Sequence, residues 1–298
     1  MGVERQIIAP GYNFAAMPRL FVEQLTVLDF SRLDPERGLV GESWIADLEL
    51  GGELDEQSMV LDFGIVKGLA RDAMEDLADH KLVVPCGCPG VSVTQNDGRL
   101  AVRLEGPAAL ALTSPAEAVC RLDEPEVTVG RLARRLEDAV RAVMPANVGE
   151  VVVALREEAT PGAYYHYSHG LKRHAGNCQR IAHGHRSRVE VWRDGRRSEQ
   201  WERYWAGRWD DIYLGSGEDV AGETRLGAAP SLRFAYRAAQ GYFELVLPRE
   251  RCELLATDST IECIAAHMAT ELAGLEPGAR FRVRAYEGVQ KGAVAEAG

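Results

Sequence analysis

No run of 18 apolar residues occurs in this 298-residue chain, and its N-terminus lacks a basic segment followed by an apolar one. A membrane-spanning helix needs about 20 such residues and a secretory signal needs both parts, so neither insertion nor export is indicated. The cytoplasm is the expected compartment. Cysteine is sparse: Cys86, Cys88, Cys120, Cys178, Cys252 and Cys263 fit no disulfide framework in a chain this large, and in a reducing compartment they stay as thiols. Cys86-Gly-Cys88 is too closely spaced for an easy bridge or a zinc knuckle and reads as a turn. Positive charge is short as well, with 34 Lys and Arg against 45 Asp and Glu, a net charge of -11. A nucleic-acid partner would need a basic surface. What remains is an ordinary globular composition, 46% hydrophobic and 27% charged, in a length that suits two domains of about 150 residues.

The richest stretch is Cys178-Gln-Arg-Ile-Ala-His183-Gly-His185, with His169 upstream in Tyr-Ser-His-Gly-Leu. On an extended strand, side chains at i and i+2 share a face about 7 Å apart, so His183 and His185 stand side by side. His169 is far enough away in sequence to lie on the neighbouring strand of a hairpin, completing a three-nitrogen metal set with one position open. An open position points to catalysis rather than scaffolding. Cys178 has two readings, fourth ligand of a closed site or acid/base group beside an open one, and its loop-like Gly-Asn-Cys-Gln context favours the second. Lys172, Arg173, Arg180, Arg186 and Arg188 crowd the same stretch. They predict either a receiver for an anionic group or a solvated strand edge.

The pattern along the chain repeats. Leu20–Val27 and Ser43–Leu50 alternate like a hairpin, and Asp62 is placed to cap a helix reaching about Asp79 with Ile65, Leu69, Ala73, Met74 and Leu77 on one face. A second helix is predicted from Thr128 to Val143, marked by Leu132, Leu136, Val140 and Val143, and a strand from Glu150 to Arg156. Strands follow around Tyr164–Leu171, His185–Trp192, Leu232–Tyr236 and Tyr242–Pro248, then a helix over Ser259–Leu272 and a strand over Arg280–Tyr286. The order reads as an internal duplication: an extension over 1–16, a repeat over 17–162 and a repeat over 163–298. Leu39-Val-Gly-Glu-Ser-Trp44 then matches Ala182-His-Gly-His-Arg-Ser187, so Val40 and Glu42 stand where His183 and His185 do. Conversely Asp79-His80 has no Asp-His counterpart, its place falling in the Trp- and Gly-rich stretch 196–231. Trp201, Trp205 and Trp209, four apart, suit one face of a helix better than base stacking.

These blocks resemble the 6-pyruvoyl tetrahydropterin synthase and 6-carboxytetrahydropterin synthase family, whose small domains carry a strand His, Cys and His-Gly-His, Val-x-Asp-Phe, Leu-Asp-His, a Pro-Thr-x-Glu-Asn helix start and a late strand ending in Glu. The match spans nearly the whole chain but is divided between its halves. The resemblance implies an α+β fold of two tandem tunnelling-fold ββααββ units, with antiparallel sheets and helices on one face. It implies Zn2+ held by His169, His183 and His185, and a catalytic set of Cys178, Asp79 and His80. It assigns Thr260 and Glu262 to the helix start that helps hold the pterin, although the family's Asn is Cys263 here. Ser259-x-x-Glu262 also reads as a capping box. Glu157 and Glu287 each close a repeat at the place where the family grips the pterin with a carboxylate, and Glu287 ranks higher because its repeat keeps the zinc block. Asp79 and His80 have a plainer reading as a helix C-terminal pair.

The implied activity is that of a lyase acting on 7,8-dihydroneopterin triphosphate, giving the 6-carboxytetrahydropterin of 7-deazaguanine (queuosine) synthesis. The alternative is the 6-pyruvoyl product. The Cys178-to-His183 spacing falls between the two patterns, and only the bacterial character of the sequence favours the first. A rival of another class is a pterin- or purine-binding protein without catalysis. The resemblance also implies a homo-oligomer built by barrel formation, with no nucleic-acid or membrane partner.

Overall fold

The computed structural model describes residues 17–298, so the extension expected over 1–16 lies outside the described residues. The first hairpin runs further than its alternation suggests: β1 (Arg19–Asp34) and β2 (Gly38–Gly52) pair antiparallel from Arg19↔Gly51 to Asp34↔Gly38. The helix α1 (Phe63–Ala78) starts where its cap predicts, the Asp62 side chain accepting the Gly64 N–H at 2.7 Å. Its buried stripe is Val66, Ala70, Met74 and Ala78, one position off the expected face, while Ile65 and Leu69 are 54% and 39% exposed. Ala70 and Ala78 let the helix lie close to the sheet, where the bulkier Ile65 and Leu69 would hold it off.

Five strands follow, β3 (Leu82–Pro85), β4 (Val91–Asn96), β5 (Arg99–Leu104), β6 (Leu110–Pro115) and β7 (Val119–Leu122). Then come α2 (Val129–Val143), capped by Thr128, and β8 (Val148–Glu157). The later part of the chain has β9 (Tyr164–His169), β10 (His183–Arg193), the two-residue β11 (Arg196–Arg197), α3 (Glu199–Arg208), β12 (Ile212–Ser216) and β13 (Val220–Leu226). It continues with β14 (Ala229–Ala238), β15 (Gly241–Pro248), β16 (Cys252–Leu255), α4 (Ile261–Leu275), β17 (Phe281–Tyr286) and β18 (Gly292–Ala297). Trp205 and Trp209 lie fully buried on and just beyond α3.

The strands form three sheets, in the orders β7-β3-β1-β2-β8, β16-β12-β9-β10-β17-β18 and β13-β14-β15-β6-β5-β4. The first two carry the same succession of places, and the third joins the two parts of the chain where Leu245 of β15 faces Leu112 of β6. Two features depart from a plain antiparallel ββααββ reading. Pairs β1·β3, β3·β7, β9·β12 and β12·β16 are parallel: a helix precedes each β3 and β12, and an excursion through the third sheet precedes each β7 and β16, so that neighbours are joined by long crossovers rather than hairpins. The six-stranded third sheet was not expected as a unit, although its β14 and β15 fall on the strands expected around 232–236 and 242–248. Each of the first two sheets closes a core with its helices, and a third core lies under the joining sheet.

The hairpins β1–β2 and β9–β10 cross at their glycines. A Cβ on Gly41 would lie 1.9 Å from the Tyr167 carbonyl oxygen, and one on Gly184 would lie 2.7 Å from the Gly41 Cα. Beside them the Ser31 and Ser168 hydroxyls bond to each other at 2.7 Å. This close approach presses β1 against the face of β10 that carries the histidines.

Candidate metal centre and acid–base cluster

His183 opens β10 directly opposite His169, the last residue of β9, and His185 follows two places on. The pairing predicted from spacing is therefore present. All three side chains are essentially buried, at 0%, 1% and 1% exposure. Each Nδ1 is turned away from the centre. That of His169 meets the Ser259 carbonyl at 3.0 Å and hydroxyl at 3.1 Å, and that of His183 meets the Arg180 carbonyl at 2.8 Å. That of His185 faces Asp29 Oδ1 at 3.2 Å, off the ideal hydrogen-bond line. The Nε2 atoms are left to converge: those of His169 and His185 lie 3.2 Å apart, and the ligand atoms of all three histidines fall within 4.8 Å of one another. A tetrahedral ion with nitrogens at about 2.0–2.1 Å needs them about 3.4 Å apart, so the donor set fits a metal. Burial, then the neighbouring rings, push the pKa of His169 and His183 well below the usual histidine range. Neutral imidazole is the form that ligates.

Asp79 and His80 come from the other part of the chain and arrive at the same place. Asp79 ends α1, and His80 takes a left-handed backbone (φ 52°) that swings its ring inward. The pair is pinned to β1: the Asp29 N–H donates to Asp79 Oδ1 at 2.9 Å and the His80 N–H to the Asp29 carbonyl at 2.7 Å. Asp79 Oδ2 holds His80 Nδ1 at 2.5 Å. The His80 ring lies 5.0 Å from that of His183, and the donor atoms of His80, Cys178 and His183 lie within 4.8 Å of one another. Burial would lower the His80 pKa, but hydrogen bonds and charge from Asp79 and Cys178 outweigh it and raise it to about 10. His80 is thus held as an imidazolium beside a half-buried sulfur, directly after the Asp79 that caps the end of α1.

The remaining expected residues separate. Glu287 lies just past β17, and its N–H bonds to the carbonyl of Lys291, whose ammonium reaches Asp29 at 3.0 Å. Glu287 also adds to the effect of burial in raising the pKa of Tyr165 and Tyr167, whose buried hydroxyls have no partner among the described residues. Glu157 instead pairs with Arg186 at 3.3 Å, on the strand face opposite His185. Thr260 caps α4, its hydroxyl accepting the Cys263 N–H at 3.4 Å, and Glu262 is exposed in the first turn. The Ser259–Glu262 capping box does not form, because Ser259 is buried and spent on His169.

The basic crowd is also dispersed. Lys172 and Arg173 pair with Glu218, Asp219 and Asp258, while Arg186 and Arg188 pair with Glu157 and Glu158. Arg180 alone touches the cluster, donating to the Asp79 carbonyl at 3.4 Å. Sequence reasoning missed Asp29, Ser259 and Lys291. A carboxylate inside the apolar run Val27-Leu-Asp-Phe30 was the available signal for the first.

The other hairpin has the same register with different contents. Ser31 faces Gly41 as Ser168 faces Gly184, which sets Arg32, Val40 and Glu42 at the places of His169, His183 and His185. Arg32 pairs with Glu42 at 2.9 Å and Asp34 at 2.5 Å. Asp211, left-handed like His80, is gripped by Arg37.

No protein-family model and no curated protein sequence matches the chain. Among solved structures, a 6-pyruvoyltetrahydropterin synthase of Plasmodium vivax is similar at 13% identity and TM-score 0.37 in a catalytic-residue mutant, covering 47% of this chain and 98% of its own. The synthase of Plasmodium falciparum is similar at 11% identity and TM-score 0.37, covering 47% of this chain and 97% of its own.

Proposed function

We propose that the chain is a zinc-dependent lyase of the tetrahydropterin synthase type, acting on 7,8-dihydroneopterin triphosphate and giving 6-carboxy-5,6,7,8-tetrahydropterin. The 6-pyruvoyl compound is the alternative product. One observation carries the reading: Asp79 and His80 from one part of the chain stand against Cys178 and His183 from the other. The repeated order of elements supports treating 17–162 and 163–298 as two degenerate, complementary tunnelling-fold repeats.

His169, His183 and His185 would hold the ion, and zinc there would supply a Lewis acid for the side-chain oxygens of the substrate. Cys178, as thiolate, takes a proton from a side-chain carbon. His80, kept protonated and oriented by Asp79, returns one on the other face. Glu287 accepts the paired N–H groups of the pterin edge, a geometry a carboxylate matches. Glu157, committed to Arg186, is the weaker candidate for that role. Thr260, whose hydroxyl accepts the Cys263 N–H, keeps its own proton to donate to the pterin, with Glu262 in the first turn of α4. The outer edges of β8 and β18 support strand-to-strand assembly with further copies.

Metal analysis comes first: roughly one zinc per chain, abolished in His183→Ala, is the expected result. Incubation with dihydroneopterin triphosphate should then yield product by mass. A zinc-loaded protein that binds pterin without turnover would favour the non-catalytic rival.

A further inference from the structure

We propose that Asp29 is a positioning residue for the metal centre, supplied by the repeat that holds none of the ligands. The inference rests on reading His169, His183 and His185 as a metal set. Among the described residues Asp29 is the one carboxylate within reach of a ring nitrogen of that set, its Oδ1 lying 3.2 Å from His185 Nδ1. It is 2% exposed, and a carboxylate so deeply buried persists only with compensation. The compensation is present: the Ser43 hydroxyl donates to Oδ1 at 2.5 Å and the Lys291 ammonium to Oδ2 at 3.0 Å. The turn between β17 and β18 closes over the group. Gly288 (φ +70°) sits so near that an added Cβ would lie 2.5 Å from Oδ1.

A carboxylate on Nδ1 keeps the proton of His185 on that nitrogen and leaves the Nε2 lone pair to the ion. Ser259 and the Arg180 carbonyl do the same for the other two rings, but only Asp29 brings charge. Its backbone also carries the Asp79–His80 pair, through the Asp29 N–H and carbonyl. One residue therefore sets the angle of a metal ligand and the position of the acid. The crossing of the two hairpins holds an inverted version, in which His166 of β9 faces Glu42 of β2 at 3.7 Å and its Nδ1 meets the Gly41 carbonyl at 2.7 Å. There the imidazole occupies the place of Asp29 and the carboxylate that of His185.

The test is Asp29→Asn, with Lys291→Met as the milder variant, each prepared as apoprotein with its circular dichroism compared to the parent. Chelator competition should show zinc binding weakened about 10- to 100-fold in Asp29→Asn and severalfold in Lys291→Met. The cobalt-substituted protein should change its visible absorption in Asp29→Asn, a signature that a merely structural loss in a folded apoprotein would not produce. Parental zinc affinity and an unchanged cobalt spectrum in folded Asp29→Asn would overturn the proposal while leaving the metal site intact. A parent that binds no zinc would instead overturn the metal reading itself. If Asp29→Asn does not fold, Lys291→Met decides, and an unchanged affinity there overturns the proposal.

Discussion

The two crossing hairpins have one backbone and two chemistries. In β9–β10 the converging positions are three imidazoles whose Nε2 atoms point at one another. In β1–β2 the same register holds an arginine between two carboxylates, already neutralised and closed. The crossing at Gly41 and Gly184 supplies the convergence, and the side chains decide whether that convergence binds an ion or satisfies itself. A similar contrast runs along the outer strands. Glu253 of β16 binds Arg208 at 2.5 Å, whereas β7 places Cys120 at the matching register.

The sharpest break in the comparison is at the acid–base cluster. Cys178→Ala should lower turnover about 10²- to 10⁴-fold with zinc content unchanged, whereas Asp211→Asn in the closed counterpart should leave turnover untouched. Steady-state kinetics beside metal analysis checks both. Next comes the crossing. Gly41→Ala should cost about 3 kcal/mol or more in chemical denaturation, since its Cβ meets a backbone oxygen that cannot move aside.

The outer strands give a pH effect of one sign. Burial would raise the Glu253 carboxyl, but His267, Arg208 and Trp209 hold it down to about 2. Its folded value lies below the unfolded 4.5, so the stability it contributes is full above that pH and is lost as pH falls towards about 2. Glu253→Gln should therefore remove about 3 kcal/mol near neutrality and flatten the loss of stability between those limits. Parallel urea titrations across that range test it, and Cys120→Ala should leave the pH dependence as it was. The smallest change is predicted at the closed counterpart of the metal set. Replacing Arg32 and Glu42 together by Met and Leu should shift stability by no more than about 2 kcal/mol in either direction, because a buried ion pair roughly offsets its own desolvation.

Much of this was legible in the sequence where one local rule decides the outcome. Asp62 announced its helix by capping, Leu132, Leu136 and Val140 announced the second by their spacing, and His183-Gly-His185 announced one face of a strand by its period of two. The rest depended on distant partners. The buried stripe of α1 was misplaced because Ile65 and Leu69 have the right spacing as well as the right polarity, and only closeness to the sheet selects Ala70 and Ala78 instead. The joining sheet was missed because strands such as β4 are exposed along most of their length and show little apolar alternation. The basic residues near Cys178 were overcounted as anion receivers, since their carboxylate partners at 218, 219 and 258 lie 40 to 90 residues away. Ser259 looked like a helix cap, and nothing local reveals that His169 claims it.

The strand pairing of β6 with β15 has a kinetic consequence. Because that joint and the polypeptide itself hold the two parts of the chain together, His80 and Cys178 meet in a first-order event whose odds do not depend on how many molecules are present. Specific activity should then stay constant on dilution wherever the rest of the site is complete within one chain. A site divided between separate polypeptides would instead come apart as its dissociation constant is passed.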